Sequence, residues 1–84
     1  MTEFLRHIEN KNVEVIVKHN IFSDENKIIG RVSGIIDNNE KIGVSIGRNS
    51  FWCRKNSDKF SVVVDKDVVL IKDNLMEMYI RILK

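Results

Sequence analysis

Apolar and polar residues alternate along most of this chain, and alternation is the period of a strand with one buried face. Residues 13 to 18, VEVIVK, put Val13, Val15 and Val17 on one side. Residues 27 to 37, KIIGRVSGIID, line up Ile28, Gly30, Val32, Gly34 and Ile36. A run of that length spans roughly 36 Å when extended, too far for a straight strand in a small domain, so it is expected to bend. Gly30 and Gly34 are the expected bends or bulges, because glycine inside a strand commonly marks one. Residues 41 to 47, KIGVSIG, show Ile42, Val44 and Ile46 on their apolar side.

The faces of these last two runs suggest a register. A two-residue turn at Asn38 and Asn39 would pair Ile36 with Lys41 and mix apolar with polar faces. Pairing Ile36 with Ile42, Gly34 with Val44 and Val32 with Ile46 keeps one face apolar, since a slip by one residue inverts a strand. That pairing predicts an odd-length loop of three or five residues centred on Asn39, with Asn supplying any left-handed position.

Further on, FSVVV and VVLI are separated only by Asp65, Lys66 and Asp67, which predicts two short strands joined by a tight turn or a single 3₁₀ turn. Phe4, Leu5 and Ile8 lie at helical spacing behind Thr2, a residue type suited to an N-cap. The C-terminal end fits two periods. Leu75, Met76, Tyr79, Ile80 and Leu83 form a helical stripe, with Asn74 and Glu77 spaced like a capping box. Met76, Met78, Ile80 and Ile82 alternate as a strand would. The helix is the expectation adopted.

The apolar residues are dominated by Ile and Val, whose branched side chains favour strands, so the fold class is mainly β. With 84 residues there is room for one domain, spanning 1–84, and for a core that buries about 60 to 65 % of the unfolded surface. Oligomerisation would add to so small a core, and a homo-oligomer is expected. A single cysteine, Cys53, excludes an internal disulfide, and no signal-peptide-like start or membrane-length apolar run is visible. These features point to a reducing cytoplasm and no membrane partner. The net charge of +2 permits a nucleic-acid partner without requiring one.

A helix, three bent strands, a loop, a short strand, a three-residue break and a last short strand is the order of a small barrel. With GRVSGIID as a first motif and VVVDKDVVLI as a second, residues 4 to 71 resemble the Sm-like family, which includes the bacterial Hfq proteins. Asp37 answers to the family's strand-two Asp with one residue more between. Asp65 and Lys66 stand where the family has an Arg-Gly or Lys-His type pair that helps build its RNA-binding pore. The resemblance implies a ring-forming barrel that binds RNA. SH3-like barrels share the strand order and mostly bind proteins. The expected architecture is therefore a small five-stranded bent-sheet barrel, Sm-like or SH3-like, with a short N-terminal helix and a C-terminal helix.

The stretch GRNSFWCRKNSDKF, residues 47 to 60, holds the lone tryptophan, the lone cysteine and two of the four phenylalanines. Arg48, Arg54 and Lys55 could meet phosphates while Phe51 or Trp52 stacks on bases, the combination used by single-strand binders. Large apolar residues are usually buried in a small domain. Phe51 and Trp52 are adjacent, so on an extended backbone one would plug the core and only one would face a ligand. The same residue types also suit an oligomer contact. Asn38 and Asn39 are candidate polar base contacts at the hairpin tip.

No enzyme motif accompanies these residues. Asp37, Glu40, Asp65 and Asp67 sit where turns use carboxylates, without an orienting His or a nucleophile. Cys53 reads as an inert packed thiol, His7 and His19 as surface residues, and no metal or other cofactor is implied. The expected function is a non-catalytic nucleic-acid-binding module, for single-stranded RNA or DNA with RNA preferred. The alternative is a small adaptor or inhibitor, encoded by a bacterium, phage or plasmid, that docks on a host protein through a strand edge or Trp52.

Overall fold

The computed structural model describes residues 2–20 and 25–83. They form one helix, α1 (Thr2–Ile8), and seven strands: β1 (Asn12–His19), β2 (Glu25–Asp37), β3 (Lys41–Ile46), β4 (Asn49–Arg54), β5 (Ser61–Asp65), β6 (Val68–Lys72) and β7 (Met76–Ile82). All strand pairs are antiparallel, and the order β4-β3-β2-β1-β7-β6-β5 leaves β4 and β5 as unpaired edges. The mainly-β class and the N-terminal helix agree with the sequence. The expected five-stranded barrel is corrected to a bent seven-stranded sheet that does not close.

Two strands account for the difference in number. β4 lies inside the stretch read as a loop, and β7 replaces the expected C-terminal helix. β1 explains the second correction. Its inner residues Val13, Val15 and Val17 are buried, so β1 is a central strand whose second edge also needs a hydrogen-bonding neighbour. β7 supplies that neighbour, pairing Ile82 with Val13, Ile80 with Val15 and Met78 with Val17. Burying Met78 and Ile80 completely contributes about 1.5 to 3 kcal/mol for each side chain. A helix would keep the same residues but leave β1 half unpaired.

β2 is the strand on which the sheet turns. Its first half pairs with β1 from Glu25 to Arg31, and its second half pairs with β3 from Val32 to Asp37. At the bend Gly30 lies under Ile46, whose Cγ2 would stand 2.6 Å from a Cβ placed there. The second irregularity falls between Val32 and Gly34, where the register slips by one residue. Val32 still pairs with Ile46, but beyond the slip Gly34 faces Ser45, Ile35 faces Val44 and Asp37 faces Ile42. Ile35, not Ile36, therefore packs on the core. The connection between β2 and β3 is the expected three residues, 38 to 40, centred on Asn39, but the register across it is corrected: Asp37, not Ile36, faces Ile42, and Asn38 N–H donates to Lys41 O at 3.0 Å. The slip after Val32 is what moves the pairing from Ile36 to Asp37 opposite Ile42.

The core is one cluster of Ile, Val, Leu and Met side chains from α1 and from strands of both halves of the sheet, with Cys53 among them. α1 buries Leu5 and Ile8, and two residues beyond its end Asn10 takes a left-handed φ of 68°. Asn10 N–H then donates to Val32 O, and Val32 N–H to Lys11 O, fixing the helix to the bend of β2. The capping role of the Thr2 side chain lies outside the described residues. The break between β5 and β6 is the expected tight turn, with Lys66 at a φ of 55°.

Candidate nucleic-acid interface

The β3–β4 hairpin carries most of the candidate residues. Its ladder runs without a slip from Lys41 opposite Arg54 to Ile46 opposite Asn49. Residues directly opposite share a face. Ile42, Val44, Phe51 and Cys53 turn inward, where Phe51 packs on the core and Cys53 is fully buried. Lys41, Gly43, Trp52 and Arg54 turn outward. The two adjacent aromatics thus divide between faces as their alternation requires. Gly43 opposite Trp52 is needed because a Cβ there would run into the Phe51 carbonyl oxygen and approach Trp52 Cα at 2.6 Å.

On the outer face Lys41 places its Nζ 4.0 Å from the centre of the half-buried Trp52 ring. Arg54 stands directly across the ladder from Lys41. Among the described residues, neither of these two cations has a carboxylate within ion-pair distance. Sequence reading missed Lys41. Only the β3–β4 ladder brings it to Trp52, and β4 was not recognised as a strand.

The other candidates divide. Lys55 is ion-paired with Asp37, which ties the end of β4 to the end of β2, and Lys55 N–H donates to Glu40 O at 2.8 Å. Asn38 accepts from Glu40 N–H and Lys41 N–H, both at 2.8 Å, so its side chain shapes the turn. Asn39 is exposed at the tip beside it. Arg48 occupies the turn at the far end of the hairpin, about 13 Å of strand from Trp52. The structure sets Trp52 and Arg54 beside Lys41, holds Lys55 and Asn38 in the contacts that close this end of the hairpin, and leaves Asn39 at its tip and Arg48 at its far end.

Behind Trp52 and Arg54 a groove of about 520 Å³ opens between the free edge of β4 and one end of β1, β2 and β7. Val17, Ile28, Phe51 and Met76 give it an apolar floor, and His19, Asn26, Lys27 and Asn49 lie around it. Asp73 fixes its narrow end. This buried carboxylate accepts Arg54 N–H at 3.0 Å through Oδ2, and Leu75 and Met76 N–H at 2.8 and 2.9 Å through Oδ1. Its charge is spent on the backbone. Just inside, the Cys53 thiol donates to Ile71 O at 3.6 Å. Burial, and then the charge of Asp73, push its pKa up to about 12. A thiol so held is protonated at neutral pH and a poor nucleophile.

Elsewhere, Glu14 is buried on the outer face of β1 between Lys27 and Arg81, each 3.2 Å away. Among the described residues, no group of three or more His, Cys, Asp or Glu could hold a metal ion, and no helix is long and apolar enough to cross a membrane. No family model, curated protein or solved structure matches this chain.

Proposed function

We propose that the protein is a non-catalytic module that binds single-stranded nucleic acid, RNA in preference to DNA, on the outer face of the β3–β4 hairpin. The observation that carries this reading is the pairing of Lys41 with Arg54 beside Trp52. Like charges directly opposite one another destabilise a sheet, and a phosphate between them would offset that cost. Lys41 also lies over an aromatic plane. As its ammonium swings to the phosphate, a base takes its place on Trp52, and such a stack is worth about 1 to 3 kcal/mol. Asn39, exposed at the turn, would meet a base edge. The engaged state of Asp37, Asp73 and Glu14 supports a binding role over acid-base chemistry.

The test is fluorescence anisotropy with labelled single strands of RNA and DNA, for the wild type and for Arg54→Ala. Binding is expected to weaken with salt, and the variant should lower the slope of log K on log salt by about 0.7, the loss of one phosphate contact. Absence of binding to either strand, or binding indifferent to Arg54→Ala, contradicts the reading.

A protein partner is the second reading, favoured by the apolar groove beside β4. Lys55 N–H points to β3 whereas Arg54 N–H turns outward to Asp73. By strand alternation the main-chain groups of Ser50 and Trp52 also turn outward, where an extended peptide could add to the sheet.

A further inference from the structure

β5 is an edge strand without the usual protection. Natural edges are blunted by lysine, proline, a bulge or a covering segment. Among the described residues none of these interrupts or covers Val62, Val63 and Val64, and the ladder with β6 runs unbroken from Ser61 opposite Lys72 to Asp65 opposite Val68. Val63 is 54 % exposed on the outer face and Val64 47 % on the inner one. The other edge differs, since β4 carries Ser50, Trp52 and Arg54 and has the Arg54 N–H bonded to Asp73.

An apolar row also ends at this edge. Val63 lies opposite Leu70, Leu70 opposite Tyr79, and Tyr79 opposite Ile16, so four neighbouring strands contribute one residue each to a line across the outer face. The line stops where the sheet stops.

We infer that β5 pairs antiparallel with β5 of a second copy about a two-fold axis through Val63, joining two sheets into one. The register follows from the hydrogen bonding. Ile82 N–H donates to Asp67 O, so Val68 directs its main-chain groups away from β7 and toward Asp65. Ser61, Val63 and Asp65 then bond to β6, leaving the N–H and C=O of Val62 and Val64 on the open side. Centring the pair on Val63 sets Val62 against Val64 of the second copy, and Val64 against its Val62, so all the open groups are satisfied. Val64 is covered on the inner face, and the apolar row doubles in length on the outer one. Such a contact is isologous and closes at two copies, whereas β4 against β5 would run on into a ring or filament. It needs no nucleic acid and stands apart from the β3–β4 site.

Sedimentation over a range of concentrations, together with cysteine cross-linking, tests this. At the axis the two Val63 Cα atoms form a pair without hydrogen bonds, about 4.5 Å apart, within the span that a disulfide bridges. Under mild oxidation Val63→Cys should give a covalent dimer, and Ile29→Cys, equally open but on β2, should not; buried Cys53 leaves the background clean. Val63→Lys should turn the wild-type dimer into a monomer with unchanged circular dichroism. A wild type that is monomeric at every concentration, an assembly larger than two, or equal cross-linking at both cysteines overturns the proposal. Should Val63→Lys fail to fold, the cross-linking comparison still decides.

Discussion

Lys41 and Arg54 face each other across the β3–β4 ladder while the Lys41 ammonium rests over the Trp52 ring. The contact with the ring is favourable, whereas two like charges directly opposite one another are not. Arg54→Glu would convert the pair to one of opposite charge and keep Lys41 over Trp52, so stability should rise by about 0.2 to 1 kcal/mol. Binding of single-stranded RNA should fall in the same variant. Thermal denaturation and anisotropy on one preparation check both, and a loss of stability would show that the pair serves the fold.

Asp73 connects the site to the core. Asp73→Ala leaves the N–H groups of Arg54, Leu75 and Met76 without their acceptor. At about 1 to 3 kcal/mol for each buried donor left unmade, with partial relief from water, the expected loss is about 2 to 4 kcal/mol. Urea denaturation measures it. Amide exchange at Arg54 should accelerate more than at Phe51, which stays bonded to β3.

Gly43 admits no side chain. Because a Cβ would meet main-chain atoms of Phe51 and Trp52 and not a movable side chain, Gly43→Ala should cost about 2 kcal/mol or more. Gly34→Ala, whose Cβ would have only Ser45 Cβ as a neighbour at 4.0 Å, should cost far less. Equal losses in the two variants would contradict the close approach of β3 and β4.

The raised pKa of Cys53 makes stability depend on pH. The unfolded thiol ionises near 9 while the folded one holds its proton to about 12, so above pH 9 the unfolded state binds fewer protons and gains. Stability contributed by the neutral thiol is complete below pH 9 and is lost as pH rises toward 12. The difference between wild type and Cys53→Ala should therefore shift against the wild type across that window, by roughly 1.4 kcal/mol per pH unit. At neutral pH a thiol reagent should label the protein only after denaturation.

Alternation made β1 and β3 legible, because Val13, Val15, Val17, Ile42, Val44 and Ile46 all face one core. It failed for β4, where Trp52 faces outward among polar residues and masks the inward pair Phe51 and Cys53. The bulge after Val32 was half legible. Gly34 marked its place, but only the structure shows that it shifts the register and puts Ile35 inside. At the C-terminal end the sequence carries both periods, and the choice rests on the free edge of β1, a tertiary fact. For the site, Trp52 and Arg54 were legible from composition. Lys41 was not, because only the β3–β4 ladder sets it opposite Arg54 and beside Trp52.

The most direct measurement uses Trp52 as its own reporter. Its emission is followed while short single-stranded RNA is added, at low and at moderate salt, in the wild type and in Lys41→Ala. Quenching that weakens as salt rises and a lower affinity in the variant are expected, since a base would stack where a phosphate is held. Emission indifferent to RNA in both proteins would contradict it and direct attention to a protein partner at the groove beside β4.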